Sequence, residues 1–140
     1  MIEAILLAGG LVVVTGLMHY QVLTVAHRRL MRSNWPLGRR LLTALLTVMA
    51  AHMVEVAVYS AGYQLGQTWQ LGSFAPASPL NWMESTYFSL VTYTSLGLGD
   101  IFPQGHLRLI AGVEALNGFL LISCSASLLF VLMHSDNANS

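Results

Sequence analysis

Three predominantly apolar stretches, near residues 4–26, 41–63 and 107–133, each exceed the length needed to cross a lipid bilayer. A helix rises about 1.5 Å per residue, so about 20 residues span a hydrocarbon core of about 30 Å. In lipid, every backbone N–H and C=O must find its partner inside its own segment or in a closed barrel, and continuous apolar runs of this length predict helices. Composition points the same way. Apolar types form 55% of the 140 residues and charged types 9%, whereas soluble domains carry about 25% charged residues. Folded in water, such a chain would expose broad apolar patches. The expected fold class is an all-α integral membrane protein with three transmembrane helices.

The charges set an expected orientation. Arg28, Arg29, Arg32, Arg39 and Arg40 lie between the first two spans, and there is no lysine. Cytoplasmic loops carry the positive excess, which predicts an outer N-terminus, a cytoplasmic basic loop and a cytoplasmic C-terminus. The beginning of the chain has Glu3 and no cation, so it reads as a retained helix and not as a secretory signal. Without lysine no Walker-type phosphate loop is possible. The zero net charge and apolar spans argue against nucleic-acid binding. The single cysteine, Cys124, provides neither an intrachain disulfide nor a thiolate zinc site. No enzymatic motif is present, and no cofactor or soluble ligand is expected.

Between the second and third spans the pattern changes. Residues 64–79 are rich in Gly, Pro, Ser and Gln and read as loop. Residues 82–94 mix aromatic, apolar and hydroxyl side chains, with Asn81 and Glu84 spaced as a capping box. A helix there is roughly 20 Å long, half of a span. It leads into Thr94-Ser95-Leu96-Gly97-Leu98-Gly99-Asp100. Glycine at alternate positions permits left-handed backbone, which lets successive carbonyls face one side. Such a row replaces the hydration shell of a cation in a narrow passage. The short helix aims the negative end of its dipole at the same place. Leu96 and Leu98 are expected to pack behind the carbonyls.

Ser95-Leu96-Gly97-Leu98-Gly99-Asp100 resembles the filter of the potassium-channel pore family, which reads Thr-Val-Gly-Tyr-Gly-Asp. The resemblance runs back through Tyr87-Phe88-Ser89-Leu90-Val91-Thr92-Tyr93-Thr94 and forward through Ile101-Phe102-Pro103, over about residues 80–133. It implies that the second span is an outer helix and the third an inner helix. It also implies that four copies form a homotetramer around one axis in the plasma (cell inner) membrane, with membrane lipids as the other partner. Carbonyls of Ser95, Leu96, Gly97 and Leu98 would bind K⁺, Gly99 would close the outer end, and Asp100 would stand at the outer mouth. Gly118 or Gly112 would be the bending point of the inner helix, with close helix packing as the alternative. Leu98 stands where the family has Tyr, so the usual hydroxyl tie to the pore helix is missing. Leucine occurs there in some two-pore-domain potassium channels. Tyr87 and Phe88 replace tryptophans, the first span has no counterpart in the two-helix version, and no span has the arginine repeat of a voltage sensor.

Other residues have a role if the third span faces the axis. Leu116, Phe119, Ser123, Ser127 and Phe130 share one helical stripe and would line a cavity with Phe130 as an apolar gate, the alternative being helix packing. Polar groups inside spans usually face protein or water. His52 and Glu55 share a helical face, read either as a proton sensor or as an interhelical bond to His19, Tyr20 or Gln21. Glu114 is expected to brace the back of the filter through Ser89 or Thr92, and Arg108 to pair with Asp100 or Glu84 or to snorkel outward. The chain therefore divides into residues 1–40 (extra helix and basic loop), 41–133 (pore domain) and 134–140 (polar tail). The expected function is a potassium-conducting tetrameric channel, with a weakly selective cation channel or a non-conducting membrane subunit or sensor as alternatives.

Overall fold

The computed structural model describes residues 1–76 and 78–137. It contains α1 (Ile2–Met31), α2 (Leu37–Thr68), β1 (Phe74–Ala75), α3 (Trp82–Tyr93), β2 (Phe102–Pro103) and α4 (Leu107–Asn137). The three long helices are also the three apolar enough to cross a membrane. At 30 residues, α1 is roughly 45 Å long. That exceeds the about 30 Å of a hydrocarbon core, and Arg28 and Arg29 occupy its last turn. At 12 residues, α3 cannot span.

Several boundaries differ from the sequence expectation. The basic segment is mostly helical, because α1 reaches Met31 and α2 starts at Leu37, immediately after Pro36. Proline is tolerated at a helix start, where its missing N–H has no intrahelical partner to lose. Arg39 lies over the Trp35 ring, 4.0 Å from its centroid. At its other end α2 continues to Thr68, past the expected stop at residue 63. The two glutamines of this extension explain it by holding the next segment. Gln64 Nε2 donates to Leu80 O at 2.9 Å, and Gln67 Oε1 accepts from Leu80 N at 2.8 Å. The expected polar tail starts as helix, since α4 runs through residues 134–137, and residues 138–140 lie outside the described residues.

Helix α1 packs against both α2 and α4, and α3 is held between α2 and α4. Two apolar clusters form the core. The larger joins Ala4, Ala8 and Leu11 of α1 to Val56, Tyr59 and Tyr63 of α2 and to Phe88, Leu107 and Ile110. The smaller joins Ala26 and Leu30 to Ala44, Val48, Leu128 and Leu132 at the basic end. Small residues bring the helices close: a Cβ on Gly62 would lie 2.6 Å from Leu11 Cδ1. Tyr63, Phe74 and Phe88 meet edge to face, with centroids 5.0–5.7 Å apart.

The pair β1–β2, antiparallel with Phe74 opposite Pro103, ties the long loop to the segment after the glycines. Gln104 N donates to Ser73 O at 2.8 Å and His106 N to Leu71 O at 2.8 Å, which continues that join to the start of α4.

Candidate functional site

The site is built on α3. Asn81 caps it as the spacing predicts: Glu84 N donates to Asn81 Oδ1 at 2.9 Å and Asn81 N to Glu84 Oε2 at 2.8 Å. One face of α3 (Ser85, Phe88, Ser89, Val91 and Tyr93) is buried. Two carboxylates from the spans reach this face. Glu114 of α4 accepts from the Tyr63 hydroxyl, and its Oε1 lies 2.5 Å from Ser89 Oγ. The bracing role expected for Glu114 therefore runs through Ser89, and Tyr63 is a partner the sequence reading missed. Burying a carboxylate is tolerated because these donors replace water.

Glu55 of α2 accepts from the Tyr93 hydroxyl at the inner end of α3. Its Oε1 is 2.8 Å from His19 Nδ1 and its Oε2 is 3.0 Å from His52 Nδ1. The interhelical partner is thus His19; Tyr20, the neighbouring candidate, is 68% exposed. Asn117 of α4 adds a third polar link, donating to Thr15 Oγ1 at 2.9 Å and to the Tyr59 hydroxyl at 3.1 Å.

After Tyr93 the chain leaves this frame. Leu96 N donates to Val91 O at 2.9 Å and Ser95 N to Thr92 O at 2.9 Å, so the loop starts from the carbonyl end of the short helix. Ser95, Gly97 and Gly99 have φ of +57°, +58° and +78°. Left-handed backbone thus recurs at every second residue, a conformation that glycine adopts without a Cβ clash. For Ser95 this conformation is costly, of order 1 kcal/mol, and strain of this kind concentrates at functional sites. A Cβ at Gly97 or Gly99 would meet nothing within 4 Å among the described residues, so the backbone angle and not crowding selects glycine.

All six residues from Ser95 to Asp100 are exposed in the single chain. Leu96 and Leu98 are 63% and 58% exposed, so the described residues of this one chain leave them largely uncovered. The reason is geometric: α2 and α4 cover only one side of α3. Asp100 accepts from the Tyr87 hydroxyl at 2.7 Å and from Ile101 N at 3.1 Å. The Tyr87 bond, first of all, holds the Asp100 carboxyl below its ordinary range. Of the two readings of Arg108, the structure shows no bond to Asp100 or Glu84 among the described residues; the side chain is exposed and donates from Nε to Pro103 O at 3.2 Å, and snorkelling stays open.

On α4, Leu116, Phe119, Ser123, Ser127 and Phe130 are all exposed, as one stripe. The opposite face buries Glu114, Asn117, Leu121, Ser125 and Leu128. The two glycines differ. A Cβ on Gly118 would lie 2.2 Å from Tyr93 O, while one on Gly112 meets nothing within 4 Å among the described residues. Gly118 is thus a close-packing position where α4 crosses the end of α3.

The sequence profile of the ion channel family matches residues 45–134. This chain belongs to the ion channel family. The match starts inside α2, takes in the half-span and its loop, and ends within α4, leaving α1 as the additional helix. No curated protein and no solved structure matches the chain. Membership makes it a multi-pass membrane protein, surrounded by lipid and assembled from more than one pore-forming element.

Proposed function

We propose that this channel conducts potassium along the axis of a homotetramer, through a filter made by residues 95–99. The observation that carries this reading is the alternation of left-handed backbone at Ser95, Gly97 and Gly99, in a loop that leaves the end of a half-span helix. Aligned carbonyls of Ser95, Leu96, Gly97 and Leu98 would take the place of water around each ion. Four Asp100 carboxylates at the mouth would raise the local cation concentration. The exposed stripe from Leu116 to Phe130 would line the inner cavity, with Phe130 at its narrow end, and the exposed leucines would be covered by the neighbouring copy. The five arginines around residues 28–40 favour a plasma-membrane orientation with that end in the cytoplasm and the filter outside.

A weakly selective cation channel is the second reading, and Leu98 favours it. Its side chain has no polar atom to tie the filter to α3, and the chain itself leaves it exposed. The test is ion flux from purified protein in liposomes, with potassium and sodium gradients compared. Potassium flux that excludes sodium supports the first reading. Equal flux of the two supports the second, and Leu98→Tyr should then raise the potassium-to-sodium ratio. If intact tetramers pass neither ion while pH, voltage and membrane tension are varied, both fail.

A further inference from the structure

Behind the filter, where α1, α2, α3 and α4 meet, lies a cluster that ion conduction does not use. His19 of α1 and His52 and Glu55 of α2 each place one donor atom within 4.8 Å of the other two. Both Nδ1 atoms face the same carboxylate, His19 at 2.8 Å from Oε1 and His52 at 3.0 Å from Oε2. The two imidazoles are stacked, with centroids 5.2 Å apart. The Tyr93 hydroxyl, 3.0 Å from His52 Nδ1, adds a fourth polar group at the same point.

The other nitrogen of each ring is also held. His52 Nε2 is 3.0 Å and His19 Nε2 3.3 Å from Ser125 Oγ. The donors and acceptors of this arrangement can be counted for each tautomer of the two rings. If both histidines are neutral and donate from Nδ1 to Glu55, both Nε2 atoms are acceptors, and the single hydroxyl proton of Ser125 satisfies only one. The cluster is balanced if a cation takes the place of the two Nδ1 protons. Each Nε2–H then donates to one of the two lone pairs of Ser125 Oγ. Metal-bound histidines are held in this way, by an outer acceptor on the second nitrogen.

We propose that His19, His52 and Glu55 bind a divalent transition-metal cation of the zinc class, with Ser125 orienting both rings and Tyr93 at the fourth position. Two imidazoles and a carboxylate select such ions over calcium and magnesium, which take oxygen ligands. Ligand atoms around zinc, at about 2.0–2.2 Å from it, stand roughly 3.4 Å apart, so each Nδ1 needs to retreat from its carboxylate oxygen by about half an ångström. A groove of about 580 Å³ between α1 and α2, lined by Met18, Val22, Thr47, Ala51 and Glu55, leads to the carboxylate. Bound there, the ion would clamp α1 to the helix that carries the match to the channel family. The proposal is independent of which ion the pore conducts.

The test uses the full chain purified in detergent, titrated with Zn²⁺ by calorimetry and with Co²⁺ by visible absorption. One ion per chain is expected, with a Co²⁺ ligand-field band and a raised Tm. His52→Ala, at the most accessible of the three ligands, should weaken binding at least tenfold, and Glu55→Gln should do the same. Should Glu55→Gln fail to fold, the His52 variant still decides. Replacing His27, His106 and His134 together by Ala should change nothing. Loss of binding in that triple variant with retention in His52→Ala would overturn the site. Absence of any binding to the folded wild-type chain would overturn it as well, leaving an extra proton as the balancing charge.

Discussion

Helix α3 and the loop that follows it are adjacent in sequence and opposite in surroundings. Ser85 and Ser89 of α3 are fully buried and Tyr93 is 1% exposed, between α2 and α4, with Ser89 bonded to Glu114 of α4 and Tyr93 to Glu55 of α2. One turn later every residue from Ser95 to Asp100 is exposed. The same contrast divides α4, whose Glu114, Asn117 and Ser125 face the other helices while Phe119, Ser123 and Phe130 face away. One chain therefore buries one side of α3 and of α4 in this frame and leaves the loop and the opposite stripe of α4 exposed. Under the proposed function, a neighbouring copy would cover Leu98 and line the passage opposite Phe119.

The sharpest way to break this comparison is to alter the exposed side without touching the frame. Gly97→Ala places a Cβ at φ +58°, in space that is otherwise open among the described residues. The frame bonds to Glu55 and Glu114 are unaffected, so the protein should still fold and assemble. The left-handed angle is costly for alanine, about 1–2 kcal/mol per subunit, and relaxing it would turn a carbonyl out of line in every copy. Flux in liposomes should fall to background while the assembled mass stays unchanged. Normal flux would show that the loop is not the pathway.

The converse substitution strikes the frame. Gly118→Ala puts a Cβ 2.2 Å from Tyr93 O, a backbone atom that has little freedom to retreat. Overpacking of this kind costs about 1–3 kcal/mol, and the Tm of the variant should drop. Gly112→Ala, where a Cβ meets nothing within 4 Å among the described residues, should leave Tm near wild type or raise it slightly. If instead Gly118→Ala keeps the Tm and alters only channel opening, Gly118 acts as a bending point and the packing assignment fails.

Which parts were legible in the sequence follows the same division. Apolar length alone predicts the three spans, and local chemistry predicts the capped half-span and the glycine loop, because each depends on residues a few positions apart. The frame depends on pairs far apart in the chain. Tyr63 and Glu114 are 51 residues apart, and His19 and Glu55 are 36 apart. No period in the sequence sets the relative rotation of two such helices. A signal was still present: His19, Glu55, Glu114 and Asn117 are polar residues inside apolar spans, and such residues need partners. The end of α2 was misjudged because Gln64 and Gln67 read as loop residues, whereas their amides extend the helix's hold on Leu80.

Tyr87 offers the finest probe, since it joins the two regions by one bond. Its hydroxyl, on α3, donates to Asp100 at 2.7 Å and is the main reason that carboxyl sits below its ordinary range. A lowered carboxylate stays ionised as pH falls until its own reduced pKa is reached, and it loses its charge only below that point. Tyr87→Phe removes the donor, so the pKa of Asp100 should move back up. The mouth would then lose its negative charge at a higher pH than in the wild type. Because the side chain is solvent-exposed, the change should be small at neutral pH, where Asp100 is ionised in both proteins. The expected result is a cation flux equal to wild type at pH 7 that declines earlier on acidification of the Asp100 side. Asp100→Asn should remove that acid-dependent component altogether. Identical acid profiles for Tyr87→Phe and wild type would mean that the bond holds the loop in place without tuning its charge, and the link between frame and mouth would then be mechanical alone.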